Sequence, residues 1–236
     1  MTRTALVLQH HNHITLGNLE PVLREHNYEI KIVDATSAPF DEHEFEIADL
    51  LIVLGGHEGA YETDTHPYLK DELAVIRKRI DAKQPTFGVC LGAQLMAGAL
   101  GGENYKGEKP DLGYQQLQLT QAGRESVIRH AEGVGMLEWH GDHFTLPEGA
   151  TVLASSSAYP NEAFAIGDFG LAVQFHPEVT DEMHAQWSED TDSLLAKEGV
   201  SRQEWERQRE LHNDAMQVAS NRMFSEWLDG LEARTP

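Results

Sequence analysis

The chain has 236 residues, with 39 Asp or Glu against 18 Lys or Arg and a formal net charge of -21. A surface of that sign repels nucleic acid and anionic membranes, because binding phosphates depends on clustered cations; solubility or adaptation to salt accounts for the acidity more simply than a basic partner. Hydrophobic residues make up 40% and run through the whole length, enough for one packed core, so the expectation is a single domain over 1–236, with a core of about 1–187 and a helical extension over about 188–236.

The first apolar run, TALVLQ, predicts a buried strand; it is too short for a secretory signal and is followed by histidines instead of a cleavage site. LGNLEPVLREHN carries apolar residues at helical spacing, YEIKIVDA alternates in part, and the unbroken ADLLIVLGG predicts a strand buried on both faces. HPYLKDELAVIRKRIDAK predicts a second helix and PTFGVC a fourth strand. Strand and helix in alternation mean a parallel sheet covered by helices. From Tyr114 to Val179 the runs GYQQLQLT, TVLASSS, AFAIGDFG and LAVQFHPEV predict an antiparallel or mixed extension of the same sheet. Beyond Thr180 the chain is polar and helical, with Trp205, Leu211, Met216, Phe224 and Trp227 among charges; this stripe suits packing back on the domain, or, as the sharper alternative, a homodimer. No apolar stretch approaches the length of a membrane span, and the cytoplasm is the expected location.

The single cysteine, Cys90, excludes an internal disulfide and permits a reducing compartment. It stands in TFGVCLGAQLMAGALGG, between a predicted strand and a predicted helix. A residue at so tight a corner projects from the sheet and needs small neighbours two positions away, here Gly88 and Gly92; the following helix turns its N-terminal amides and positive dipole end toward the sulfur. By itself this spacing is equally compatible with an inert buried thiol. A thiol nucleophile needs an imidazole, and the imidazole a carboxylate to orient it. In LAVQFHPEV, His176 and Glu178 are two apart on a predicted strand and so share a face, with Pro177 restricting the backbone between them. His140 and Asp142 in WHGDHF have the same spacing but look loop-like, and QHHNH lacks a carboxylate. Acyl chemistry also needs donors for an oxyanion, which the Leu91 amide and the glycine pair Gly55-Gly56 could provide at the C-terminal ends of parallel strands. His10, His11 and His13 lie at a strand end without a cysteine or acid beside them in sequence, so no metal is expected.

On these residues the chain resembles the class I glutamine amidotransferase family. The likeness runs from Leu51 to about Trp187 through LIVLGGHEGAYETD, PTFGVCLGAQLMAGALGG, WHGDHFTLPEGATVLASS and VQFHPEVT, and is nearest to stand-alone members related to the glutaminase domain of GMP synthetase. It implies a three-layer, doubly wound α/β fold of flavodoxin-like type with a mostly parallel sheet, a nucleophile elbow and no cofactor. It implies that Cys90 attacks the side-chain amide of glutamine, that His176 and Glu178 complete the triad, and that Gly56 and Leu91 donate to the oxyanion. Gln94, His140, Gly141, Gly113 and Tyr114 match family positions at the glutamine pocket. Two departures bear on that pocket: His57 and Glu58 stand where relatives often have Pro after the glycines, and Trp139 where they often have Ser.

The resulting expectation is a thiol hydrolase that cleaves a γ-glutamyl amide through a Cys90 thioester. The residues after the expected triad are too few and too polar for a synthetase domain, so none is expected among them. The protein is then either a glutaminase subunit serving a separate synthetase or a self-sufficient γ-glutamyl hydrolase or peptidase. A binding module that keeps the fold without the chemistry is the alternative from another class. Redox-type cysteine proteins with a similar elbow typically carry His after the cysteine, where this chain has Leu91.

Overall fold

A computed structural model describes residues 3–233, with the side chains of 188–194 outside the description; residues 1–2 and 234–236 of the expected domain likewise lie outside the described residues. The strands are β1 (Arg3–Gln9), β2 (Tyr28–Asp34), β3 (Leu50–Val53), β4 (Thr86–Val89), β5 (Asn104–Gln116), β6 (Gln118–Leu119), β7 (Gly135–Phe144), β8 (Ala150–Ser155), β9 (Ala163–Ile166) and β10 (Gly170–Val173). The helices are α1 (Leu19–Glu25), α2 (Glu42–Ile47), α3 (Tyr68–Asp81), α4 (Leu91–Ala99), α5 (Gln121–Glu125), α6 (Asp181–Lys197) and α7 (Arg202–Glu232). Eight strands form one sheet in the order β2-β1-β3-β4-β10-β9-β8-β6, parallel from β2 to β10 and antiparallel beyond.

Strand alternation sorts the apolar residues into two cores. Ala5, Val7, Leu50, Ile52, Phe87 and Val89 face α1, α6 and α7, while Leu6, Leu8, Leu51 and Val53 face α2, α3 and α4. Every residue of β3 and of β4 is buried, as strands covered on both faces must be. At the edge, β2 leaves Ile32 half exposed, which is why its sequence alternates only in part. The expected three-layer, doubly wound arrangement is therefore the one observed.

The extension differs from expectation in three places. Gly113–Gln116 does not join the sheet; it belongs to β5, which pairs antiparallel with β7 as a separate two-stranded ribbon. WHGDHF is not a loop but the second half of β7, its glycine tolerated because the ribbon is held by cross-strand pairs such as Asp111 with His140. His176 and Glu178 lie beyond the last residue of β10. Pro177 cannot donate to a ladder, and the chain leaves the sheet to hydrogen-bond the ribbon instead, His176 N donating to the Leu137 carbonyl at 2.8 Å.

The ribbon is irregular between Lys106 and Asp111, where residues 107–110 bulge out of register; Pro110, without an N–H, sits in the bulge. Helix α7 starts at a Ser201 cap, whose hydroxyl accepts from the Glu204 amide at 3.1 Å. It buries Trp205, Met216, Phe224 and Trp227 against the rest of the domain while Leu211 is 59% exposed. Packing back on the domain thus accounts for four of the five apolar residues of the stripe.

Trp205 is fully buried and stacks on His184 at 4.4 Å and against Trp139 at 4.8 Å. Trp205→Ala is expected to cost about 3–5 kcal/mol, as truncation of a buried aromatic does. Leu211→Ala should stay within about 0.5 kcal/mol. Urea denaturation of the two variants checks both values.

Candidate active site

Cys90 occupies the corner between β4 and α4 with φ 51° and ψ -107°. Asn27 and Lys83, the other non-glycine residues with positive φ among those described, follow helices α1 and α3, where a left-handed residue is an ordinary way to end a helix. Cys90 has no such role, and its strained backbone is held from both sides: its N–H donates to the Val173 carbonyl at 2.9 Å and its own carbonyl accepts from Gln94 N at 3.1 Å. The flanking glycines have the steric function their spacing suggests. A Cβ on Gly88 would lie 2.7 Å from the Gly92 backbone, and one on Gly92 would lie 2.0 Å from the Val53 carbonyl oxygen.

His176 and Glu178 meet across the turn after β10, Nδ1 to Oε1 at 2.7 Å, both buried. Burial opposes the imidazolium, but the Glu178 carboxylate and then Cys90 outweigh it and push His176 up to about 10. Cys90 and His176 interact by charge, while Nε2 makes no hydrogen bond of ordinary geometry among the described residues. A Cβ built on Gly55 would stand 3.2 Å from the His176 ring and 3.6 Å from the Cys90 Cβ, so this glycine separates the two at close range. Trp187 of α6 packs edge-on to the imidazole, ring centroids 4.9 Å apart, and is tied by its indole N–H to the His13 carbonyl at 2.9 Å.

Two cavities meet at Cys90 and share Gly56, His57 and Trp139. The smaller, about 50 Å³, is walled by His11, His13, Ile14, His176 and Trp187. The larger, about 640 Å³, runs along Leu91, Gln94 and the 107–110 bulge to Gly141 and Asp142, and three of the chain's seven lysines, Lys106, Lys109 and Lys197, border it. Of the residues singled out from sequence, Cys90, Gly56, Leu91, Gln94, His140 and Gly141 line the larger cavity, and His176 lines the smaller. Gln94 is nearly buried and its amide donates to the Asp142 carbonyl at 3.1 Å, joining α4 to β7.

The remaining expected contacts are placed differently. Gly113 and Tyr114 face α7: a Cβ on Gly113 would strike Gln208 at 2.6 Å, and the Tyr114 hydroxyl donates to Asn213 Oδ1 at 3.0 Å. Neither lines the two cavities described. His140 borders the cavity, yet its ring is turned into the protein, with Nε2 3.1 Å from Glu138 Oε2 and 3.4 Å from Glu162 Oε2. Burial, then the neighbouring Glu162, pushes the Glu138 carboxyl up to about 7; burial works against His140 in its charged form, but the two carboxylates carry it well above its ordinary value.

Some residues of the site had no clear signal in the sequence. His10 is buried, with Nδ1 on the Gly55 carbonyl at 3.1 Å and Nε2 on the Glu72 carboxylate at 3.0 Å, and so fixes the glycine pair beside Cys90. The pair is 62 residues apart in sequence. Its one local trace is an acid, Glu72, among the buried residues of α3, which are otherwise Leu69, Val75, Ile76, Arg79 and Ile80. His11, His13 and His57 form a ring cluster at the mouth, His11 lying 4.5 Å from His57 and 5.2 Å from His13 between centroids.

Fold and site define an α/β protein with a lone thiol on a strand-to-helix elbow beside a buried His and Glu pair. The family model described as glutamine amidotransferase class-I matches residues 12–190, and the chain belongs to that family. It is 33% identical over 137 residues to the glutamine amidotransferase-like protein YfeJ of Salmonella typhimurium, over 56% of this chain and 57% of that protein. Against the glutamine-hydrolyzing GMP synthase of Methylobacillus flagellatus it is 37% identical over 143 residues, covering 55% of this chain and 25% of the synthase. The chain thus spans little more than half of the first relative and a quarter of the second. The crystal structure of a glutamine amidotransferase from Thermotoga maritima superposes with a TM-score of 0.83 at 26% identity, over 97% of this chain and 99% of that one. No helix among the described residues is long and apolar enough to cross a membrane.

Because the atom a Cβ on Gly92 would strike is a backbone oxygen of a central strand, Gly92→Ala is expected to destabilise the protein by about 1–3 kcal/mol or more. Gly230→Ala, in α7 with open space around it, should instead add up to about 1 kcal/mol through helix propensity. Thermal unfolding of the pair tests whether packing of α4 on β3 sets the difference.

Proposed function

We propose that the protein hydrolyses the γ-glutamyl amide of glutamine or of a γ-glutamyl compound through a thioester at Cys90. The observation that carries this reading is the strained Cys90 at the mouth of the cavity, between the Gly56 and Leu91 backbone and an imidazole already oriented by Glu178 at 2.7 Å. With its proton already resting on His176, Sγ attacks the amide carbon as the thiolate, and the Gly56 and Leu91 amides donate to the oxyanion. Collapse breaks the C–N bond as His176 returns the proton to the leaving nitrogen, which departs as ammonia or an amine. Water, deprotonated by His176, then opens the thioester, and glutamate leaves with Cys90 restored. Glu178 accepts from Nδ1–H throughout and holds the ring in the tautomer that keeps Nε2 for the proton transfers.

The name of the relative from Methylobacillus flagellatus, a glutamine-hydrolyzing GMP synthase, supports glutamine as substrate and a synthetase as the receiver of ammonia. The cavity of about 640 Å³ favours a second reading, in which a γ-glutamyl conjugate places a larger leaving amine there. Turnover by the purified protein distinguishes the two: glutamine is the better substrate under the first, γ-glutamyl peptides under the second.

An electrophilic glutamine analogue should add its mass to Cys90 alone, and Cys90→Ala should lower kcat/KM by about 10³-fold or more. Activity unchanged in Cys90→Ala would exclude the thioester and leave the fold as a binding module. The carboxylate that raises His176 also fixes a pH limb. With the imidazolium as the acid, kcat/KM should fall on the alkaline side as pH passes about 10. In Glu178→Gln that limb should move to lower pH, because burial then acts on the imidazolium without its counter-charge.

A further inference from the structure

Behind the cavity wall, three carboxylates and one imidazole share a closed space. Asp111 on β5 stands opposite His140 on β7, Glu138 lies two residues before it on the same strand, and Glu162 immediately precedes β9. Asp111 is 3% exposed and Glu138 and Glu162 are 0% exposed. One ligand atom each from Asp111, His140 and Glu162 lies within 4.8 Å of the others. Ligand atoms on one tetrahedral ion, with bonds of about 2.0–2.2 Å, stand about 3.3–3.6 Å apart, so side-chain movements of about an ångström bring these three onto a common centre.

Close acids by themselves do not make a site, but the unpartnered atoms here do point to a missing ligand. Oε1 of Glu162, Oε1 of Glu138 and Nδ1 of His140 have no hydrogen-bond partner among the described residues, and Oε2 of Glu162 meets only His140 Nε2 at 3.4 Å, although all three side chains are buried. Buried polar groups of folded proteins are otherwise almost always paired. Asp111, by contrast, is oriented from outside the cluster, its Oδ2 accepting from the Ser156 hydroxyl at 2.9 Å and its Oδ1 from the Gln115 amide. Metal-binding carboxylates are held by second partners in the same manner. Among the described residues, no Lys or Arg forms an ion pair with any of the three acids. A divalent cation is the kind of ligand that three closely spaced carboxyl groups and one imidazole would receive together.

We infer that Asp111, His140 and Glu162 form a binding site for a first-row divalent cation, with the unpartnered Glu138 oxygen available as a fourth donor. An imidazole with carboxylates suits Zn²⁺ or Mn²⁺, and without thiolate ligands the set does not select the softest ions. Bound there, the ion would tie the β5–β7 ribbon to the main sheet. His140 lies between Trp139 and Gly141, both on the cavity wall, so the ion would hold that wall in place without touching the reacting atoms.

The test measures metal and stability separately from turnover. The full chain, purified without chelator, should carry close to one equivalent of metal by elemental analysis, or take it up from Zn²⁺ or Mn²⁺ added singly, with a higher Tm when loaded. Glu162→Gln keeps shape and volume and should bind at least about 10-fold more weakly, with its Tm no longer responding to the ion. Glu148→Gln, at an exposed acid, should behave as the parent. No bound metal and no Tm response to either ion would overturn the site, as would binding unchanged in Glu162→Gln; protons would then balance the cluster.

Discussion

The distance between helix α4 and strand β3 is the constraint on which the site depends. At Gly92 the helix comes so near the Val53 carbonyl that no side chain fits between them. That approach leaves the chain a single residue in which to turn from β4 into α4, and the residue is Cys90, held at positive φ with the thiol at the cavity mouth. The same strand, β3, runs directly into Gly55 and Gly56, so the backbone proposed to bind an oxyanion lies beside the sulfur by construction. His10 and Glu72 then lock that loop from the opposite side through the Gly55 carbonyl. The Cys90 corner and the Gly55-Gly56 loop are thus two consequences of one close packing between a helix and two strands.

The sheet supplies the elbow, and the segments added to it supply the walls. The β5–β7 ribbon receives His176 through the Leu137 carbonyl, presents Trp139 to both cavities, and sends its bulge along the larger one. Helix α7 supports the ribbon from behind by seating Trp205 against Trp139, and α6 closes the imidazole with Trp187. Chemistry common to a fold and selectivity particular to one chain commonly divide along this line, because scaffold strands tolerate little change and wall segments tolerate much.

Buried histidine beside buried carboxylate recurs at three depths in this acidic protein. His10 with Glu72 is enclosed and acts on the backbone. His176 with Glu178 has one edge toward the cavity and can exchange a proton there. His140 meets more carboxylate than one imidazole can satisfy, and leaves polar atoms unpaired. The chemistry of the pair is the same in each case; access and charge balance separate their roles.

What could be read from the sequence was whatever depends on neighbours along the chain. The four parallel strands, the helices between them, the glycines around Cys90 and the two-residue spacing of His176 and Glu178 are all local patterns, since burial on both faces, helical periodicity and steric smallness leave their mark residue by residue. Even so, His176 and Glu178 meet across a turn and not along a strand, because β10 ends at Val173 and the chain then hydrogen-bonds the ribbon. Partners far apart in the chain left almost no trace. WHGDHF looked like a loop until β5 paired with it, Gly113 and Tyr114 faced α7 instead of the cavity, and His10 found Glu72 only through the fold. The sequence by itself determined the elbow and the candidate groups Cys90, His176 and Glu178. Only the tertiary structure decided which carboxylate each histidine meets and which side chains wall the cavity, because those depend on how ribbon and helices pack across long separations.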